Sequence, residues 1–365
     1  MACGGTPASP APVPQLPPER LVTRIYLIGD AGNPRAGGEP VLEALSKDLS
    51  APSAEPVVVF LGDNVYPRGM PKPRATTRSE AERRLLAQIQ TVQRAGAKGY
   101  FVLGNHDWAR HGPDGWNAAL RQEQYVDSVG KGFAVLKPGG GCPGPSTVDI
   151  GARVRLLLLD TQWWLHPGPR PRDPDSSCPT DSEPEIVDSM RASLRSAGSR
   201  LVVVVAHHPL SSGGVHGGYF GWRDHIFPLR LVAPGLWLPL PFIGSLYPAA
   251  RQYGVSRQDI DSRAYQRLIA AFRRAFRGAP PALYAAGHEH NLQVIAGGSA
   301  RLELVSGGGI YHHNDRAVRT RGSLFARNAS GYARLDVPSA GRARLAVIEV
   351  TAAGESHEVF STWVE

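Results

Sequence analysis

The run Gly62-Asp63-Asn64-Val65-Tyr66-Pro67-Arg68-Gly69 decides how this chain is read. It follows Val57-Val58-Val59-Phe60-Leu61, a continuous apolar run of the kind that forms a buried parallel strand. In open α/β sheets, ligands gather outside the carboxyl ends of such strands. There the chain places a carboxylate and, three residues on, a phenol, in a turn punctuated by glycine and proline. A carboxylate has two oxygens and can bridge two cations. A phenol beside a strong cation can lose its proton and become a hard anionic ligand. Asp-Asn after a strand is also an ordinary turn, so the reading depends on what the other strand ends carry.

Working outward, the same arrangement recurs. Strand 22–28 ends in Gly29-Asp30-Ala31-Gly32, and strand 100–103 ends in Gly104-Asn105-His106-Asp107. Strand 201–205 ends in Ala206-His207-His208-Pro209, and 282–286 leads into Gly287-His288-Glu289-His290. Helices fall between them. One covers 40–49. A capping box of Ser79 and Glu82 starts another, with Leu85, Ile89 and Val92 on one face and Gly96 as its stop. A second box, Ser182 with Glu185, starts a helix bearing Ile186, Met190 and Leu194, closed by Gly198. Asp261 caps a third, with Tyr265, Leu268, Ile269, Phe272 and Phe276 on its apolar side. Segments 147–150 and 154–159 read as a hairpin or neighbouring strands, the second ending in Asp160. From 301 onward the pattern is strands (301–305, 331–337, 342–350, 357–363) with little helix. Alternating strands and helices that give way to strands indicate a layered α/β architecture.

The composition narrows the class. Of 365 residues, 42% are hydrophobic and 20% charged, proportions of a soluble globular protein. No apolar stretch has the length of a transmembrane helix. The net charge of +8 is compatible with anionic partners, small phosphorylated ones included, although an ordinary solvated basic surface is the first reading. The basic residues are scattered, so no nucleic-acid partner is expected. Cys142 and Cys178 lie in Gly/Pro/Ser-rich loops, where they are either two free thiols or a disulfide suited to an exported protein. Met1-Ala2-Cys3-Gly4-Gly5 looks like the cleavage end of a bacterial lipoprotein signal, which would leave a lipidated Cys3. Residues 1–20 then read as a disordered Pro-rich tether, and 21–365 as a single domain, expected to be monomeric and exported. Its last strands, 331–365, would extend the sheets. Segment 217–257 is apolar, Pro-rich and without a clean period. A lid over the site is the favoured reading, ahead of a membrane-surface or oligomer contact.

Asp30, Asp63, Tyr66, Asn105, His207, His288 and His290 thus collect at strand ends. Each has an ordinary reading alone: Asp30 as a cap, Asn105 as a turn residue, His207 as a core histidine. Together, carboxylate, amide, phenolate and imidazole suit Fe, Mn or Zn better than a soft thiolate site. Seven side chains are too many for one ion and about right for two that share Asp63. Two ions about 3.5–4 Å apart clamp the attacking and leaving oxygens of a phosphoryl displacement.

Taken in order, the five blocks resemble the motifs of the calcineurin-like metallophosphoesterases over residues 22–310, and most of all their purple acid phosphatase branch. The fold this resemblance implies is a four-layer α/β/β/α sandwich of the α/β (α+β) class. The implied centre has one ion on Asp30, Asp63, Tyr66 and His290, the other on Asp63, Asn105, His207 and His288. His207 is preferred to His208 because the family pattern is His-x-Pro with the ligand first. Most members carry Asp-x-His in the first block, but here the third position is Gly32. The purple phosphatases share that gap and fill it with the tyrosine matching Tyr66, which implies Fe(III) there and Fe(II), Zn(II) or Mn(II) beside it. The implied activity is an acid phosphatase, a metal-held hydroxide attacking phosphorus. His106 would be the general acid, Asp107 would orient its ring, and His216 would contact phosphate. Other readings of the same site are a phosphodiesterase, a nucleotide hydrolase or a non-catalytic phosphate- or lipid-binding surface protein.

Overall fold

Fourteen strands carry the architecture, described in a computed structural model for residues 12–50, 54–172, 176–231 and 235–365. In chain order they are β1 (Leu21–Ile28), β2 (Glu55–Phe60), β3 (Lys98–Phe101), β4 (Ala134–Leu136), β5 (Ser146–Ile150), β6 (Val154–Leu158) and β7 (Leu201–Val205). After these come β8 (Leu283–Ala286), β9 (Leu292–Ala296), β10 (Leu302–Ser306), β11 (Ser323–Arg327), β12 (Gly331–Pro338), β13 (Ala343–Val350) and β14 (Ser356–Val364). They form two mixed sheets, ordered β14-β13-β12-β1-β2-β3-β4 and β11-β9-β10-β8-β7-β6-β5. β1 to β4 run parallel, as do β6, β7, β8 and β10. The parallel strands of each sheet therefore open their carboxyl ends together.

The sheets face each other across one core. Ile25, Leu27, Val57 and Val59 from the first meet Leu156, Leu158, Val203 and Val205 from the second, all fully buried. Because a strand alternates its side chains, the intervening residues face outward and need their own cover. Tyr26, Val58 and Phe60 lie under helices Pro40–Leu49, Arg78–Arg94 and Gly115–Gly130. Leu157, Val204 and Tyr284 lie under Glu183–Arg195 and Arg263–Phe276. The result is a four-layer α/β/β/α sandwich, as the motif order implies.

Local differences have physical causes. The Ser79–Glu82 box does not form. That helix starts at Arg78, and Glu82 instead accepts from Arg78 Nε at 2.6 Å. The Ser182–Glu185 box does form, with Glu185 accepting from the Ser182 N–H at 3.2 Å. Ser262, not Asp261, caps the Arg263–Phe276 helix, because its hydroxyl reaches the Tyr265 N–H at 3.2 Å. Helix Gly115–Gly130 and strands β4, β9 and β11 are absent from the sequence reading.

At the N-terminus, the Val13 N–H donates to Ser361 Oγ at 3.1 Å, and buried Arg344 donates to the Val13 carbonyl at 3.0 Å. The expected tether to residue 20 is thus docked on β14 from about Val13. Cys3 lies outside the described residues. Cys142 and Cys178 form a disulfide. Within segment 217–257, Trp222, Phe242, Ile243 and Leu246 are exposed, and Arg251 carries its contact with the cleft.

Candidate metal centre

All seven candidate side chains come to one cleft where the two sheets meet. Three sit on sharply bent backbone, with Asp30, Asp63 and His288 at φ of 60°, 55° and 70°. Non-glycine residues rarely adopt that region, and such strain clusters at functional sites. All seven are buried apart from His290, which is partly so.

They gather in two groups. In the first, Tyr66 Oη donates to Asp30 Oδ1 at 3.0 Å, and His290 Nε2 lies 3.1 Å from Tyr66 Oη and 3.4 Å from Asp30 Oδ1. In the second, Asn105 Oδ1 lies 3.0 Å from both His207 Nε2 and His288 Nδ1. Asp63 stands between them, 3.5 Å from His207 Nε2, and its Oδ1 also accepts the His106 N–H at 2.7 Å.

The outer nitrogen of each ring settles what the inner one offers. His207 Nδ1 donates to the Leu61 carbonyl at 2.8 Å and His288 Nε2 to the Gln258 carbonyl at 3.1 Å. A carbonyl can only accept, so His207 Nε2 and His288 Nδ1 are left as lone pairs facing Asn105 Oδ1. His290 Nδ1 bonds Asp315 Oδ2 at 3.0 Å, which aims Nε2 at Tyr66 and Asp30. Imidazole backed by carbonyl or carboxylate is the usual outer support of a metal-ligating histidine. The donor set fits two cations: ring lone pairs, the Asn105 amide oxygen and carboxylates converge, an arrangement that a bound cation relieves.

Gly32 explains why no Asp-x-His is possible here. A Cβ at this position would lie 2.3 Å from the Asn64 carbonyl carbon and 2.4 Å from Asp63 O. Gly32→Ala should therefore destabilise the chain by about 1–3 kcal/mol, read as a lowered midpoint in thermal or denaturant unfolding. An unchanged midpoint would contradict this packing.

The support residues escaped the sequence reading. Asp315 and Gln258 belong to no motif block, but β10 is the parallel neighbour of β8, so the loop after it opens on the same cleft. That adjacency exists only in the folded sheet, so the sequence carried no signal for it. Asp315→Ala should weaken metal binding about 10- to 100-fold while leaving the fold intact, since its side chain is 41% exposed. Competition with a chelator measures this, and unaltered affinity would remove Asp315 from the site.

Asp107 does not orient His106. Its carboxylate accepts the backbone N–H groups of Asn64, Val65 and Gly104 at 2.8–3.2 Å, so it braces the turn that holds Asp63. The His106 ring is fixed instead by Nδ1 donating to the Pro67 carbonyl at 2.7 Å, and it packs at a 45° tilt against Tyr66, with ring centroids 4.2 Å apart. Burial pushes the His106 pKa down, with the Asp63 carboxylate opposing.

His216 reaches the same cleft, its ring 4.0 Å from that of His288. Its Nδ1 pairs with Asp259 Oδ1 at 3.0 Å, and Arg251 lies 3.0 Å away. Glu289, fully buried, accepts the N–H groups of His216 and Gly217 and so holds this loop down. His208 uses both nitrogens elsewhere, on Thr161 Oγ1 at 2.8 Å and Gln258 Oε1 at 2.7 Å, which favours His207 as the inward ligand. His313, unassigned from sequence, packs 4.1 Å from the His290 ring.

The model of the calcineurin-like phosphoesterase family matches residues 23–236. This chain belongs to that family. It is accordingly a metal-dependent phosphoester hydrolase. The match ends before 287–290, the block that the fold brings to the same cleft. No curated protein sequence matches the chain. Among solved structures, GAP50, the anchor in the inner membrane complex of Plasmodium, is similar at a TM-score of 0.56 and 14% identity, over 94% of this chain and 89% of that one. Purple acid phosphatase PPD1 from yellow lupin (Lupinus luteus) seeds aligns at 0.54 and 16%, over 95% of this chain and 54% of its own. PhoD aligns at 0.54 and 13%, over 97% and 70%. At these identities the likeness is one of fold.

Proposed function

We propose that this calcineurin-like phosphoesterase is a phosphomonoesterase of the purple acid phosphatase type, working with two metal ions. One would be Fe(III), held by Asp30, Asp63, Tyr66 and His290. The other would be Fe(II), Zn(II) or Mn(II), held by Asp63, Asn105, His207 and His288. The observation that carries the reading is the pair of convergent donor groups on either side of Asp63, with Tyr66 standing where Gly32 leaves no room for a ligand. Bound there, the ions would supply an activated water and offset the charge of the phosphate.

The chain's own residues supply the rest. His106 is the general acid. Its Nδ1–H is committed to Pro67 O, so Nε2, 3.9 Å from Asp63 Oδ2, is the nitrogen that gives the leaving alkoxide its proton. That requires the doubly protonated ring. Because burial lowers the His106 pKa, the donor form is lost at a lower pH than for an ordinary histidine. Hydrolysis is therefore favoured in acid and falls as pH rises. His216, held by Asp259, stands beside His288 to contact the phosphate.

The test compares p-nitrophenyl phosphate with its bis ester across pH, for the wild-type chain and His106→Asn. Expected are faster monoester turnover and, in the variant, a loss of about 10²–10⁴-fold on the acid side, with the descending limb gone. A faster diester rate would point to a phosphodiesterase instead. A metal-loaded chain that hydrolyses neither would support a non-catalytic binding role.

A further inference from the structure

We infer that the end of the sandwich opposite the candidate metal centre carries a second anion site, one that takes a small, multiply charged phosphate-type oxyanion. The parallel strands β6, β7, β8 and β10 open their carboxyl ends on the cleft, so their amino ends open at the other pole. A cavity of about 360 Å³ lies there, lined by Arg153, Arg200, Arg301, Arg342 and Glu365. Each arginine immediately precedes a strand: β6, β7, β10 and β13 in turn. The sheet pairing therefore draws together four guanidinium groups that are far apart in sequence.

Their charge is largely uncompensated. Arg342 pairs with Glu365 at 3.1 Å. Arg153 spends its donors on two carbonyls, Pro338 O at 3.2 Å and Gly341 O at 2.8 Å, which satisfy hydrogen bonds but cancel no charge. Arg301 has no carboxylate partner among the described residues. Arg200 has only Asp149, at 3.6 Å, whose two oxygens are already taken by Arg155 at 2.7 and 2.9 Å. It is the buried Arg200 Nε that makes this contact, at a separation too long for a hydrogen bond. A buried donor on a cation is costly to leave unpaired. Guanidinium presents its donors as a planar fork that matches phosphate-type oxygens. The volume is that of a small-molecule site, and its concavity suits a compact ligand better than a lipid surface or a nucleic-acid backbone.

The rim also supplies a reporter, since the Arg342 guanidinium sits 5.0 Å over the Trp363 ring. Titrating the full-length chain with inorganic pyrophosphate, followed by calorimetry and tryptophan fluorescence, tests the site. Expected is a binding event that survives Asn105→Ala, a change confined to the candidate centre. The event should weaken at least tenfold in Arg200→Ala/Arg301→Ala, with p-nitrophenyl phosphate hydrolysis unaltered. Arg301→Glu, at an exposed position, should weaken it too without risk to the fold. Sulfate, with fewer charges, should bind more weakly. The site is overturned if pyrophosphate binding disappears with Asn105→Ala, or if both arginine variants bind as tightly as the wild type.

Discussion

Asn105→Ala lowers phosphoester hydrolysis on the order of 10³-fold, while its melting temperature stays close to that of the wild type. The asymmetry follows from what the side chain touches. Asn105 Oδ1 faces His207 Nε2 and His288 Nδ1, both at 3.0 Å, so it completes the donor set on that side of Asp63. Without it three donors remain, and the proposed second ion would lose its neutral oxygen ligand. The substitution removes only a buried amide group inside the cleft, so the cost to folding is within about 1–2 kcal/mol. Steady-state kinetics and elemental analysis of the two proteins, purified side by side, check the expectation. Full activity in the variant would refute the two-ion site.

Tyr66→Phe abolishes a visible absorption band present in the iron-loaded wild type. Burial pushes the Tyr66 pKa well above its ordinary range, and the carboxylates of Asp30 and Asp63 push it further. The phenol therefore stays protonated unless a strongly polarising cation overcomes all three. Phenolate formation is thus a marker for a trivalent ion rather than a property of the bare chain. Phenylalanine keeps the ring, and with it the tilted 4.2 Å contact with His106, so the change isolates the oxygen. Absorption spectra and metal content before and after the substitution read the result. A colourless, fully active wild type would refute iron while leaving the hydrolase intact.

The sequence made the strand-end motifs legible because each compresses a glycine, a ligand and a turn into a few contiguous residues after an apolar run. Strands buried on both faces read as unbroken apolar stretches, which located β2 and β7, whereas the layer order followed only from the resemblance those motifs carry. What escaped it was contact between distant segments. Asp315 and Gln258 act on His290 and His288 only because the sheets bring their loops together. Asp107 looked like a partner of its neighbour His106, yet backbone N–H groups from the Asp63 turn claim its carboxylate. Adjacency in the chain was a poor guide there. The Ser79–Glu82 pair satisfied the capping spacing, but the helix had already begun at Arg78. Helix Gly115–Gly130 went unread because its apolar positions are few and small, with Ala118, Ala119 and Val126 as its buried side chains besides two glycines and Gln122.

Asp30, Asp63 and Asn105 follow β1, β2 and β3 of one sheet, whereas His207, His288 and His290 follow β7 and β8 of the other. Each proposed ligand set thus takes members from both sheets. An ion seated there would work as a clasp across the seam of the sandwich, joining halves that elsewhere adhere through apolar contact. Acquiring metal and holding the sheets in register would then be one linked equilibrium, and the free cation concentration would set part of the cohesion of the whole domain.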